Sequence, residues 1–307
     1  MKLTAINKNI RTILFIVFGL ITADAAAQTQ AFSYTQYMDN LTPLNPAYSL
    51  IDNTGSVNTL ARKQWVGING APTTFLINGN IPLQSINSAA GLVVLTDQFA
   101  IERQTEVNAY FAKGIQLGQN QFLAVSLNAG IRNYTANYSS LDPSDPSFAN
   151  DVRQTKPNVG FGVMFYSDWY YIGLSVPELT FTSLGTASVQ NASNFRNHYY
   201  FSGALITTIA EDIKLKPSLL FSYENGVPLI TDFSGILYFK DVLGLGASYR
   251  LNSEMSGIMT LNVSQFHIGY SYQFGASSET LGGFNMPTHE ISLSYRFGKG
   301  SIKPKVL

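Results

Sequence analysis

The chain has 307 residues, with 19 basic and 19 acidic side chains, no cysteine and a formal net charge of zero. Zero net charge argues against nucleic acid as a partner, and the missing cysteine excludes disulfides, thiolate nucleophiles and cysteine-ligated metals. Charged residues make up only 12% of the chain, half the share of an ordinary soluble domain, while aromatic residues make up 13%.

The N-terminus predicts an exported protein. Three basic residues within the first eleven precede an apolar run at 13–21, which is too short to span a bilayer. Three alanines at 25–27 then offer a small-residue cleavage site. We therefore interpret residues 1–27 as a signal peptide, with an uncleaved anchor as the alternative.

The next segment, 28–53, shows no alternation of apolar and polar residues. Its apolar and aromatic residues include Phe32, Tyr34, Tyr37, Met38, Leu41, Leu44 and Tyr48. Aromatic residues at this density are untypical of a disordered tail. We predict that this segment forms a plug inside the domain that follows it. The alternative is a tail lying on the periplasmic surface of the membrane.

From residue 54 to 298 the chain alternates apolar and small polar residues at period two. In Phe266–Phe274 one face reads Phe, Ile, Tyr, Tyr, Phe and the other reads His, Gly, Ser, Gln. An apolar, aromatic-rich face opposite a face of Gly, Ser, Asn and Gln is typical of strands that contact lipid outside and a polar lumen inside. The pattern predicts an all-β fold, a transmembrane antiparallel β-barrel in the outer membrane of a Gram-negative bacterium.

Turn signals divide this region into fourteen predicted strands, with twelve as an open alternative. They lie near 54–63, 73–81, 88–98, 102–116, 120–134, 156–167, 169–177, 197–208, 212–223, 229–239, 242–251, 255–262, 265–275 and 287–297. The long connections at 135–155, 178–196 and 276–286 all follow odd-numbered strands and so share one side of the membrane. We expect that side to be extracellular, with periplasmic termini and a basic periplasmic tail at 299–307.

Two short motifs have structural interpretations. In Asn45-Pro46-Ala47-Tyr48, the proline ring fixes its own φ and pushes Asn45 toward extended geometry, which suits a sharp bend in the plug. Arg62, Gln64 and Trp65 lie at the end of the first strand, at the predicted outer rim. Trp65 would anchor at the lipid interface and Arg62 would face water or the lumen. For both motifs we favour a structural role over ligand contact.

Arg132 and Arg250 occupy predicted inward positions near the outer end of the lumen. Arginine binds carboxylates well, so these two residues are candidate contacts for an acidic terminus or carboxylate of a partner. The alternative is that they pair with Glu102 or Glu106 of the barrel itself.

Residues for catalysis or metal binding are scarce. The three histidines, His198, His267 and His289, lie on three different predicted strands without metal-ligand spacing. His198 and Ser202 share a strand face, as a Ser–His hydrolase would require, but no third group orients them. The aspartates of the long loop, Asp142, Asp145 and Asp151, could bind calcium, yet such residues usually form turns. We predict no enzymatic activity, no cofactor and no metal.

Several motifs lie in a characteristic order along the mature chain. Gln36-Tyr37-Met38 with Asn45-Pro46-Ala47-Tyr48 comes first, and further motifs follow at 62–67, 70–73, 141–146, 214–218 and 289–297. Together they resemble the PorP/SprF family, membrane proteins of type IX secretion and gliding systems, and the first motif resembles the opening of that family. The sequence departs from the family pattern at 39–43, where an aromatic and Asn-Pro usually follow Met directly, and at Ser49, where Gly is common.

The resemblance implies a non-enzymatic component of type IX secretion. Its partners would be outer-membrane lipid and other secretion components. It would hold a secreted protein, such as an adhesin, by its C-terminal secretion domain, or couple the membrane to the periplasmic secretion ring. The alternative function is transport of hydrophobic small molecules, as in the fatty-acid channel FadL, which also has fourteen strands and an N-terminal plug. A transporter would need a lateral opening and an apolar pocket, and the sequence shows neither.

Overall fold

The computed structural model describes residues 34–141, 144–145, 148, 150–180, 195–251, 254–274 and 286–298. All of them belong to one compact unit, 31–307. Three short 3-10 turns are present among them, at Pro46–Leu50, Gln84–Ile86 and Tyr138–Ser140. No helix within these ranges is both long and apolar enough to cross a membrane.

The described residues form one antiparallel sheet of 15 segments. These are β1 (Gly55–Lys63), β2 (Thr73–Leu83), β3 (Ser88–Phe99), β4 (Glu102–Gln116), β5 (Phe122–Ala136), β6 (Val152–Tyr166), β7 (Tyr170–Thr180), β8 (His198–Leu205), β9 (Thr207–Ala210), β10 (Ile213–Glu224), β11 (Ile230–Phe239), β12 (Leu243–Arg250), β13 (Met255–Val263), β14 (Phe266–Phe274) and β15 (Thr288–Phe297).

The sheet closes on itself as a barrel of fourteen strands. β8 and β9 are consecutive halves of one strand, because both pair with β10 and only Ile206 separates them. β10 also pairs with β11, and β15 pairs with β1, so no edge remains. The predicted count of fourteen is confirmed, and the twelve-strand alternative is wrong because β13 pairs along its whole length with β12 and β14.

The two faces of the wall differ as the alternation predicts. On β5, Ala124, Ser126 and Asn128 point inward and are buried, while Leu127 points outward and is 71% exposed. Large apolar side chains are exposed in the same way on the other strands, which leaves an apolar outer surface for lipid.

The main departure from the predicted strands is the start of β6. It begins at Val152, four residues before the predicted boundary, and pairs with β5 as far as Ala136. Polar residues such as Arg153 and Thr155 occupy outward positions at its start, so apolar and polar residues do not alternate there and the sequence gives no strand signal. β4, β5 and β6 consequently have 15 residues each and extend beyond the apolar part of the wall.

The connections separate the two ends of the barrel. The short-turn rim carries the turns at 84–87, 117–121, 167–169, 211–212, 240–242 and 264–265, together with the ends of β1 and β15 next to the termini. The opposite end, which we call the long-loop rim, carries the connections at 64–72, 100–101 and 225–229, and the strand ends that flank the connections β5–β6, β7–β8, β12–β13 and β14–β15. The strand ends that flank the three predicted long connections therefore all lie at one rim.

Candidate functional site

The most unusual feature of the barrel is a segment inside it, residues 34–51, which we call the interior segment. Its polar contacts reach β2, β6, β7, β10, β11, β14 and β15. A segment can contact strands on all sides of a closed ring only from within it. Tyr34, Tyr37, Met38, Leu41 and Leu44 are at most 1% exposed. The segment thus lies inside the barrel and not on a membrane surface.

The Asn-Pro-Ala-Tyr motif lies at a bend in the interior segment. Asn45 has an extended backbone, with φ −142° and ψ 98°, and caps the 3-10 turn Pro46–Leu50. Its side-chain oxygen accepts a hydrogen bond from Ala47 N at 3.2 Å. Pro46 stands at the first turn position, where its missing N–H costs nothing. Tyr48 packs edge-on against Tyr171 of the wall, with ring centroids 5.5 Å apart.

Asn45 also joins the bend to the wall. Its amide nitrogen donates to the carbonyl oxygens of Val163 at 3.2 Å and Leu174 at 3.4 Å. The wall can come this close because position 162 is glycine, where any Cβ would collide with the Asn45 side chain. The contact therefore depends on two residues that are far apart in the sequence, Asn45 in the interior segment and Gly162 in the wall.

A buried ionic cluster holds the middle of the interior segment. Lys216 Nζ, on β10, donates to Met38 O at 2.7 Å and lies 3.7 Å from Asp39 Oδ1. The same carboxylate accepts a hydrogen bond from Tyr238 Oη at 3.1 Å and lies 3.5 Å from His267 Nε2. Lys216 faces the lumen, as the strand alternation indicates, and its partner is the interior segment.

Another carboxylate holds the start of the described segment. Glu290, on β15, accepts hydrogen bonds from the backbone N–H groups of Thr35 at 3.0 Å and Gln36 at 2.8 Å. Arg62 lies opposite Glu290 in the register of β1 and β15, and its Nε is 3.9 Å from the carboxylate. Arg62 also donates to Gln273 at 3.0 Å and is 5% exposed. It therefore faces the lumen.

Gln64 and Trp65 lie outside this cluster, in the connection that follows β1. The Gln64 backbone N–H donates to Pro72 O at 2.9 Å. Trp65 is half-buried and packs edge-on against Phe99, with ring centroids 6.3 Å apart. The two rings lie at the long-loop rim, where an interfacial anchor is expected.

Arg132 is the centre of an ionic cluster near the long-loop rim. Its guanidinium lies 2.8 Å from Glu106 and 3.1 Å from Glu178, and it donates to Arg196 O at 3.1 Å. His198 bridges two carboxylates in the same cluster, with Nδ1 3.0 Å from Glu178 and Nε2 3.3 Å from Glu224. Of the two pairings expected for Arg132, the one with Glu106 is present.

Arg250 has a different partner from those expected. It forms a two-pronged contact with Asp232, from Nε at 2.8 Å and from Nη2 at 3.1 Å. Asp232 lies directly opposite Arg250 in the register of β11 and β12, so it is much closer than Glu102 or Glu106. Glu254 adds a longer contact at 3.9 Å.

These arginines form a pattern that the sequence motifs alone did not reveal. Arg62, Arg132 and Arg250 each lie directly opposite an acidic residue on a neighbouring strand, at most four residues from the strand end at the long-loop rim. The acidic partners are Glu290, Glu106 and Asp232. The inward-facing charges of this half of the lumen therefore join neighbouring strands to each other.

The candidate chemistry considered from the sequence does not assemble. Both nitrogens of His198 face carboxylates, so Ser202 is not its partner even though both side chains point inward. Within the described ranges, no group of three His, Cys, Asp or Glu side chains is placed to hold a metal ion. Asp142 lies outside the described residues, and Asp151 instead accepts two hydrogen bonds from Ser139, at 3.1 Å and 2.8 Å.

Comparison with known proteins supplies a family match. A family model described as type IX secretion system membrane protein PorP/SprF matches residues 26–295. Among curated protein sequences, none matches the chain.

Solved structures with similar barrels have very different sequences. The CymD monoaromatic hydrocarbon channel has 10% identity and a TM-score of 0.52, covering 87% of this chain and 94% of that one. A Pseudomonas aeruginosa FadL homologue has 10% identity and a TM-score of 0.47, covering 84% and 94%. The Acinetobacter baumannii outer membrane protein Omp33 has 9% identity and a TM-score of 0.46, covering 80% and 98%. The similarity to CymD shows the barrel fold alone.

Proposed function

The chain belongs to the PorP/SprF family of type IX secretion system membrane proteins, and we propose that it supports the export or surface attachment of secreted proteins such as adhesins. The family is a membrane component of a secretion system and not a family of enzymes. The fold agrees with this assignment, because it is an outer-membrane β-barrel of fourteen strands. The role in adhesin export is the part that we add.

The observation that carries the proposal is the filled lumen. The interior segment contacts strands on all sides of the barrel, and its aromatic and apolar side chains are almost fully buried. Ionic clusters around Arg132 and Asp39 occupy further parts of the lumen. A barrel filled in this way is suited to presenting its rims to other proteins. It is poorly suited to conducting solutes.

The two rims would then contact different partners. The long-loop rim would face the cell exterior and bind the C-terminal secretion domain of a cargo protein. The short-turn rim and the basic tail 299–307 would face the periplasmic secretion ring, and residues 1–27 would be removed on export. Arg132 and Arg250 are candidate contacts for a cargo carboxylate, which would have to compete with Glu106 and Asp232.

The test of this function is a deletion of the gene with two readouts. We expect particular proteins to disappear from the cell surface, measured by surface proteomics, while uptake of fatty acids and small solutes stays unchanged. Co-purification from native membranes should bring down large secretion components. If the deletion strain instead loses the uptake of a nutrient and keeps its surface proteins, the proposed secretion function is wrong and transport takes its place.

A further inference from the structure

The outer wall of the barrel carries a polar site that the filled lumen does not explain. Arg103 on β4 lies opposite Thr135 on β5, and Thr135 lies opposite Arg153 on β6. All three residues point outward, and both arginines are exposed. Neighbouring strands are ~4.8 Å apart, so the two arginine backbones are separated by only ~10 Å. Two long cationic side chains can therefore reach one ligand.

The depth of this site along the strands follows from the residues below it. Val107 and Ile131 are outward-facing and exposed at the edge of the apolar surface. The arginines lie four residues further along the strand, roughly 13 Å at 3.3 Å per residue, or ~10 Å along the membrane normal for a strand tilted by ~40°. The headgroup layer on each side of the hydrocarbon core is about 5–8 Å thick, so the arginine backbones lie just beyond its outer boundary and their long side chains can reach back into it.

A polar row lies between the arginines and the apolar surface. It consists of Thr96, Thr105, Asn133 and Thr155, which are register partners across β3, β4, β5 and β6. Asn133 donates to Thr155 Oγ1 at 2.8 Å, so its amide is oriented along the wall. A ligand that extends from the apolar surface toward the long-loop rim would contact the hydroxyl and amide groups of this row and then the guanidinium groups.

The wall is concave at this position. A groove of about 690 Å³ is lined by both arginines and by Gln98, Asn133, Thr135 and Asn137, among others. Its far side is built by the β3–β4 hairpin and by the loop that follows β5, which a hydrogen bond from Asn137 N to Ile101 O joins at 3.2 Å. The volume is in the range of sites for small ligands.

The charge of the groove is positive. Within the described residues, neither Arg103 nor Arg153 has a carboxylate within ion-pair distance. Glu102 is half-buried at an inward position. Asp151 is the acidic neighbour of Arg153. Its carboxylate accepts both hydrogen bonds of Ser139, and these bonds, together with the charge of Arg153, lower the pKa of Asp151. The two arginines therefore still leave the groove with a net positive charge.

We propose that this groove binds the phosphate of a membrane lipid headgroup, with Arg103 and Arg153 on the phosphate and the polar row on the adjoining sugar or glycerol. The apolar wall directly below fits acyl chains, so an anionic amphiphile matches the whole surface and a soluble anion matches only its upper part. If the long-loop rim is extracellular, this lipid is the phosphorylated glycolipid of the outer leaflet. The inference is independent of the secretion role.

The test uses the full-length mature barrel in nanodiscs of zwitterionic phospholipid with a minor fraction of bisphosphorylated lipid A. Native mass spectrometry counts the lipid A molecules that remain on the barrel after release from the disc. We expect the wild type to retain bisphosphorylated lipid A at least about tenfold better than dephosphorylated lipid A, since charge-assisted hydrogen bonds are worth well over a factor of ten in binding. This comparison needs no variant.

Variants then locate the site. Arg103→Gln/Arg153→Gln should lose the preference for the phosphorylated lipid, and Lys113→Gln/Lys240→Gln, which removes the same charge at the short-turn rim, should keep it. Folding of each variant is checked by its heat-modifiable electrophoretic mobility. Equal retention of the two lipids by the wild type, or an unchanged preference in Arg103→Gln/Arg153→Gln, would overturn the proposal. Displacement of the lipid by millimolar inorganic phosphate would also overturn it, because the site would then bind a soluble anion.

Discussion

The Glu290 carboxylate on β15 accepts a hydrogen bond from the backbone N–H of Gln36, at 2.8 Å, at the start of the interior segment. It accepts a second one from Thr35 N at 3.0 Å. Gln36 reciprocates with its side chain, which contacts Glu290 O at 3.3 Å and Ser292 Oγ at 2.7 Å. One wall residue thus satisfies two backbone donors of a non-strand segment.

The first prediction concerns this attachment. Glu290→Gln replaces two charged acceptor oxygens with one neutral acceptor and an NH₂ group that faces a donor. Leaving a buried donor unsatisfied costs about 1–3 kcal/mol, so we expect the interior segment to loosen. The purified variant should show higher ion conductance in planar bilayers than the wild type. Glu211→Gln, an exposed position at the short-turn rim, is the control and should conduct like the wild type.

An unchanged conductance in Glu290→Gln would count against this attachment. Removal of residues 28–53 then gives the upper limit for the effect. That deletion should leave a folded barrel that conducts more than any point variant.

The second prediction concerns the buried lysine. Lys216→Met removes the cation beside Asp39 and the donor to Met38 O. Removing one partner of a buried ion pair costs about 3–5 kcal/mol. We expect a loss toward the lower end of that range, because Asp39 keeps Tyr238 at 3.1 Å and His267 at 3.5 Å beside its carboxylate. Unfolding in denaturant, followed by intrinsic fluorescence, should show this loss.

A matched control lies two residues away on the same strand. Lys214 pairs with Asp241 at 2.7 Å, but both side chains are more than a third exposed, at 38% and 40%. An exposed pair contributes about 0–1 kcal/mol, so Lys214→Met should be nearly neutral. If both lysine variants lose the same stability, the burial of the pair does not matter and the interpretation is wrong.

The sequence predicts the wall of this protein well, because a lipid-facing strand alternates at period two wherever the membrane touches it. The strand prediction is wrong where polar residues face outward, because apolar and polar residues then no longer alternate. β6 begins four residues before its predicted start. The prediction missed these residues because Arg153 and Thr155 are polar and lie beyond the apolar band of the wall. The Asn45 bend was readable from its proline, but the carbonyls that Asn45 contacts, on β6 and β7, are set by tertiary packing.

The ion pairs likewise include two that the sequence could have predicted and one that it could not. The Arg132–Glu106 and Arg250–Asp232 pairs belong to hairpins with short turns, so the register of each hairpin brings the two charges opposite each other. Counting outward from those turns would have identified both partners. The Arg62–Glu290 pair closes the barrel between its first and last strands, and no local signal connects residues so far apart in the chain.

The third prediction concerns orientation. The chain has no cysteine, so single cysteines can be introduced without background. Asn69→Cys and Ser140→Cys, both exposed at the long-loop rim, should react with an impermeant thiol reagent on whole cells. Gln119→Cys at the short-turn rim should react only after the outer membrane is opened. The reverse pattern would place the long loops in the periplasm.

The fourth prediction concerns the lipid face. Leu127 lies at the middle of the outward apolar positions of β5 and is 71% exposed on the outer wall. An arginine at the bilayer midplane costs a transmembrane barrel about 2–4 kcal/mol, whereas near the interface the cost falls to about 0–1 kcal/mol. Leu127→Arg should therefore reduce the free energy of unfolding in lipid vesicles by the larger amount.

Ile115→Arg is the control. Ile115 faces outward near the short-turn end of β4 and is 47% exposed, so this variant should reduce the free energy of unfolding by the smaller amount. Both variants add the same side chain to the outer face of the wall, so we attribute the difference between their costs to depth in the bilayer. Equal costs for the two variants would show that Leu127 does not lie at the midplane, and the position assigned to the apolar band on the wall would have to shift.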